Sequence, residues 1–161
     1  MNATKERPEG KARHIDSPVI RELGMDEIQS LLARNHVGRL AFSFHDRVDI
    51  RPFHYAYRDN WIYGRTSPSD KLVTLKHNQW VAFEVDEVQG PFDWQSVVVR
   101  GSFYRLADED SPSQSELREE ALRLLRTYAP DTLRNTDPVP FRTELFAIAI
   151  DQLTGRAAST G

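Results

Sequence analysis

The 161-residue sequence contains no cysteine, which excludes disulfides, thiolate metal sites and cysteine nucleophiles together. It has no apolar run of membrane-spanning length, and its N-terminus lacks the apolar core of a secretory signal. The cytoplasm is therefore the default compartment. Excess charge is missing too: 21 Lys and Arg stand against 24 Asp and Glu, a formal net charge of −3. A general nucleic-acid binder needs a basic surface to neutralise phosphates, so that class is excluded. No G-x-S-x-G elbow, Walker loop or G-x-G-x-x-G fingerprint occurs, which leaves covalent hydrolysis without support. His14, His36, His45, His54 and His77 fall at no metal-ligand spacing, and no metal site is expected.

What is present is an ordinary globular mixture, 39% hydrophobic and 28% charged, enough for one domain with a modest core. Residues 1–17 are polar and aperiodic and read as a flexible arm, 18–156 as the domain, and 157–161 as a flexible tail.

Periodicity then divides the domain. Ile28, Leu31 and Leu32 recur at helical spacing within Met25–Asn35, with Asp26 and Glu27 in the first turn. Val37–Phe44, Val48–Tyr57 and Trp61–Gly64 alternate as three strands separated by short polar turns, with Pro52 marking an edge or a bulge. A short helix opening at Ser67 and ending near Asn78 leads to a strand over Gln79–Glu87 and a Gly90-Pro91 loop. Trp94–Leu106 is the longest strand, with Gly101 as a bend; Ser111–Tyr128 is an amphipathic helix. A proline-bearing loop over 129–140 precedes a closing strand, Glu144–Leu153. About six mostly consecutive strands and three short helices favour an antiparallel barrel over an alternating β–α sheet.

The densest chemistry lies at Gly64–Lys71. A strand-to-helix junction offers unpaired N–H groups, Arg65 and Lys71 add charge, and Thr66, Ser67 and Ser69 add hydroxyls, a set suited to phosphate. The same residues also read as a plain helix start, with Ser67 as N-cap and Asp70 near a capping box. Asp70 counts against an anion unless it turns away. In Arg51-Pro52-Phe53-His54-Tyr55 a proline frees neighbouring backbone groups for a planar ligand; the alternative is an edge strand with its aromatics facing the core. Trp94 and Ser96 sit where an indole could cover a ring or pack in an interface, and Asp86-Glu87 reads as a solvated strand end.

Taken in order, these segments resemble the pyridoxamine 5′-phosphate oxidase-like, FMN-binding split-barrel superfamily, in particular its small members related to nitroimidazole-resistance proteins. The resemblance rests on Val37-Gly38-Arg39-Leu40-Ala41 after a short helix, Arg51–Tyr57, Tyr63–Leu72, Asn78 with Val81–Asp86, and Trp94–Gly101. It implies a mainly β fold with short helices, a six-stranded antiparallel split β-barrel. It also implies FMN, with F420 or haem as alternative cofactors, and a homodimer with the flavin at its interface. Thr66, Ser67 and Lys71 match the phosphate-binding stretch, with Arg65 adjacent. Arg51, Phe53, His54 and Tyr55 match the strand beside the isoalloxazine, Trp94 an aromatic lining position, and Ser96 the place of a flavin-contacting glutamine. Trp61, Trp80 and Trp94 become candidates for burial between subunits. The implied chemistry is oxidoreduction of a small molecule through flavin N5, with a sensor or carrier lacking turnover as the other outcome. No catalytic residue follows, although His54 is placed to protonate a substrate near the ring. A recognisable C-terminal substrate-binding segment is lacking, which speaks against vitamin B6 oxidation.

Overall fold

Strand-forming alternation dominates the chain, and in the computed structural model it yields one antiparallel sheet. Residues 17–76, 79–107 and 112–160 are described; residues 1–16 of the expected arm, with His14, and also His77, Asn78 and Ser111, lie outside them. The strands are β1 (Val19–Glu22), β2 (Val37–Phe44), β3 (Arg47–His54), β4 (Ala56–Arg58), β5 (Trp61–Thr66), β6 (Gln79–Gly90), β7 (Asp93–Leu106) and β8 (Glu144–Ser159). Their order is β3-β2-β6-β7-β8-β5-β4, with β1 added to the end of β8. The eight strands among the described residues exceed the expected six because a longer strand splits and a short strand before the first helix joins.

Inward positions of this sheet make the main core. Leu40 and Phe42 of β2, Val81, Phe83 and Val85 of β6, Val97 and Val99 of β7, and Ile148 of β8 are all buried in one cluster. Phe53 on β3 meets Phe146 on β8 edge-to-face at 5.5 Å, so the sheet curls on itself as a split barrel. Gly38 makes room for this closure: a Cβ there would lie 2.3 Å from the Phe83 ring. The helix α1 (Met25–Arg34) covers one side with Ile28, Leu31 and Leu32. The second helix, α2 (Pro112–Tyr128), packs Ala121 and Leu125 onto the outer face of the sheet beside Tyr63, Leu106 and Leu145.

Several boundaries depart from the periodicity. The strand expected over Val48–Tyr57 breaks at Tyr55, whose N–H donates to His36 O instead of a ladder partner. Its proline does mark an edge, since β3 ends the strand order. The helix expected from Ser67 shrinks to one 3₁₀ turn, Lys71–Thr74, capped by Asp70. The closing strand runs to Ser159 rather than Leu153, which corrects the flexible tail over 157–161: Ala157 and Ala158 pair with both β7 and β1. Small residues with no period carry no strand signal, and the pairing comes from neighbours distant in sequence. The Gly101 bend appears as a register shift between Arg100 and Gly101.

Candidate functional site

The residues expected to share one site occupy separate places. Phe53 and Tyr55 are buried in the core, although Tyr55 also lines the cavity beside α2. Tyr55 Oη donates to Leu32 O at 2.7 Å, and burial, with a smaller contribution from Glu87, pushes its phenol far above the ordinary range. That group holds its proton and fixes α1 to the barrel.

At the barrel mouth Arg51 and Thr66 meet, but at Asp70, a residue set against an anion, whereas Lys71 faces a neighbouring cleft. Arg51 Nη1 donates to Asp70 Oδ1, the Thr66 hydroxyl to Asp70 Oδ2 at 2.8 Å, and the Leu72 N–H to Asp70 Oδ1 at 3.0 Å. Asp70 is the cap of the 3₁₀ turn, not a capping-box partner of Ser67. Burial raises its carboxyl, but those three donors hold it below its ordinary value on balance. Ser67 is half-buried and shares a hydrogen bond with Ser69 at 3.3 Å. Lys71 Nζ stands 5.9 Å from the Phe44 ring centroid and pairs with no carboxylate among the described residues. It lines a cleft of about 470 Å³ with Phe44, His45 and Arg47, and the last two were not among the expected site residues. Their signal was weak because the His45-Asp46 turn, with φ of 49° and 59°, is what bends β3 back and brings them there.

Arg65 lies on the other side of β5 from Thr66 and turns to α2. Its guanidinium forks onto Asp137, with Nη2 to Oδ1 at 3.0 Å, and Asp137 also accepts the Leu133 N–H at 2.8 Å and the Val139 N–H at 3.0 Å. With four donors satisfied, Asp137 is an anchor for the loop after α2, and Arg65 is not free for phosphate. Sequence reasoning missed Asp137, though an Asp before a proline that binds the N–H two residues on is a turn signature. His54, exposed at the end of β3, stacks on Tyr128 of α2 with centroids 5.7 Å apart. It borders a cavity that includes Arg65 and is separate from the Asp70 cluster.

Trp94 and Ser96 are on β7, two strands beyond the neighbour of β3, and face outward over a groove of about 680 Å³ beside α1 and β1. Three strand spacings put roughly 14 Å between them and Arg51 within one protomer. The Ser96 hydroxyl donates to Glu84 at 3.0 Å, in a row with Arg39 and Asp86, which are 2.6 Å apart. Burial first, and the neighbouring Asp86 next among the raising influences, keep Glu84 above its ordinary value. Asp86 and Glu87 are thus not a free strand end; they are paired with Arg39 and Arg34. Among the described residues no cluster of His, Asp and Glu could hold a metal ion, and no helix is long and apolar enough to cross a membrane.

Comparison with known proteins agrees with this architecture. An uncharacterised protein of Rhizobium meliloti is 27% identical over 150 residues, covering 88% of this chain and 97% of that protein. The crystal structure of an FAD-binding protein from Mesorhizobium loti superposes with a TM-score of 0.68 at 29% identity, over 88% of this chain and 99% of that one. An FAD-binding protein from Mycobacterium smegmatis shares the fold at a TM-score of 0.62 and 24% identity, over 85% and 99% of the two chains. Residues 25–157, from the first helix into the last strand, match the pyridoxamine 5′-phosphate oxidase family, and the chain belongs to it.

Proposed function

We propose that this chain binds a flavin nucleotide with its phosphate at the barrel mouth, and that it does so as a homodimer. The observation that carries the reading is the cradle around Asp70. Arg51, Thr66 and the Leu72 N–H already converge on one oxyanion, while Lys71 and Arg47 stand in the adjoining cleft. This donor set fits a phosphate: hydroxyl, guanidinium, ammonium and backbone N–H are its usual ligands. The carboxylate of Asp70 occupies the place of the phosphate, so binding exchanges one anion for the other, and Lys71 and Ser67 complete the shell. FMN is the first ligand to consider; FAD stands beside it because the Mesorhizobium and Mycobacterium relatives bind it.

The homodimer reconciles the separated residues. Trp94 and Ser96 lie too far along the sheet to meet a ligand at Arg51 of the same protomer, whereas a second copy can bring its own pair to that ligand. The outer face of the barrel supports this, since Val48 (81% exposed), Ile50 (63%) and Trp80 (52%) form an uncovered apolar strip on β3 and β6. When bound, the flavin would supply hydride or electron transfer to a small molecule at N5. The protein's part is to hold the phosphate, exclude water from the ring and offer His54 as a proton donor beside it.

Titration of the purified protein with FMN, FAD, F420 and haem, followed in the visible spectrum, tests the cofactor. Saturable binding of FMN or FAD supports the reading; binding of F420 or haem alone, or of none, overturns it. Sedimentation of the protein alone and of Ile50→Asp tests the dimer, which the variant should dissociate. An NAD(P)H-dependent reduction of a nitroaromatic or quinone by the loaded protein would then establish turnover.

A further inference from the structure

The loop after α2 builds a second cavity, apart from the Asp70 cluster. Its volume is about 370 Å³, the size of a small-molecule site. Leu125, Ala129, Pro138 and Val139 give it apolar walls, and the Tyr128 ring closes one side, stacked on His36 with centroids 4.1 Å apart. Two arginines, Arg65 and Arg142, are among its lining residues, and no Asp or Glu is. Arg65 is neutralised by Asp137 and also donates to Arg142 O at 3.4 Å, whereas the Arg142 guanidinium stands 5.9 Å from the Phe141 ring and has no ion pair among the described residues. The carbonyls ending α2 contribute partial negative charge nearby, but Arg126 Nε already donates to Thr132 O at 3.0 Å in the same loop.

The wall is also fixed before any ligand arrives. Asp137 ties Arg65, Leu133 and Val139 into one unit, and the Thr132 hydroxyl donates to Ala129 O at 2.7 Å. Leu133 is held at φ 52°, a left-handed conformation that a leucine adopts only under constraint. A preformed apolar cavity with one unpaired cation selects a ligand with a flat apolar body and a single anionic group.

We propose that this cavity binds a small aromatic carboxylate, with Arg142 taking the carboxylate and Leu125, Tyr128 and Val139 taking the ring. The cavity shares His54, Tyr55 and Arg65 with the residues that the family resemblance assigns to the flavin, but none with the Asp70 cluster or the Lys71 cleft. The probe is benzoate, with benzyl alcohol as a neutral mimic of the same shape, titrated into the full chain and followed by amide NMR. Benzoate should shift the amides of Tyr128, Ala129 and Val139 and bind at least tenfold tighter than benzyl alcohol. In Arg142→Gln, whose side chain leaves the Arg65–Asp137 pair intact, that preference should vanish with the melting temperature unchanged. The proposal is overturned if neither probe binds, if both bind equally, if the shifts lie elsewhere, or if Arg142→Gln keeps the preference. Absence of flavin binding would leave each of these readouts unaltered.

Discussion

At the barrel mouth Asp70 faces Arg51; behind β5, Asp137 faces Arg65. The first carboxylate side chain is 12% exposed beside an arginine at 30%, the second 1% exposed beside an arginine at 12%. Asp70 holds residues of its own turn and one arginine 19 positions away, while Asp137 joins an arginine 72 positions away to two N–H groups of its loop. The same ion pair therefore acts in two ways. Where water reaches part of the pair, the pair contributes less to folding. Where the pair is buried and every lone pair is used, it is a fastening whose removal strands a charge.

Removing the buried fastening should have the largest effect. Asp137→Ala is expected to cost about 3 kcal/mol and to lower the melting temperature by roughly 10 °C, read by calorimetry. A shift as small as that of Asp70→Ala would erase the distinction between the two sites. Acid should expose the same difference. Arg65 donation, opposed by burial and aided by Val139 and Leu133, holds the Asp137 carboxyl far below its ordinary value. A depressed carboxyl adds stability that is full above its unfolded pKa of about 3.9 and is lost as pH falls through the folded value. Urea midpoints between pH 6 and pH 3 should therefore drop steeply in the wild type and less steeply in Asp137→Asn.

The exposed pair should show itself in binding rather than in folding. Asp70→Asn keeps the shape and the cap but removes the competing charge, so FMN or inorganic phosphate should bind about tenfold tighter, with stability changed by less than about 1 kcal/mol. An unchanged or weaker affinity, measured by calorimetric titration, would make Asp70 a structural cap only. Lys71→Ala should have the smallest effect, weakening the same ligand about fivefold through loss of one charge-assisted contact, with no change in melting temperature. Equal affinity would remove Lys71 from the site.

Much of the barrel was legible because strands and tight turns are written locally. Val37–Phe44 and Trp94–Leu106 alternate, and Asp46 and Asp59 accept the positive φ their turns require. Where the signal was not local, it failed. Ser67 and Pro68 satisfied a helix-start pattern, yet the chain is pulled into a single 3₁₀ turn because Asp70 is engaged by Arg51 and Thr66 from other strands. The small residues of Thr154–Ser159 looked like a tail, but β7 and β1 offered them ladder partners on both sides. The site shows the same division. A sequence can place Arg51, Arg65, Thr66 and Lys71 in one stretch of chain, but not say which face each takes.

The sequence alone determined the chemistry available: no thiol, no metal set, no hydrolytic motif, and a stretch rich in phosphate donors around Gly64–Lys71. Residue type and local periodicity suffice for that. Only the tertiary structure decided how those donors are spent. It turned Thr66 inward to Asp70 and Arg65 outward to Asp137, and it set Arg142, with no ion pair among the described residues, at the edge of a cavity no motif announces. Those outcomes depend on which carboxylate the curled sheet brings within hydrogen-bonding distance, and a distance between residues 72 positions apart is set by packing.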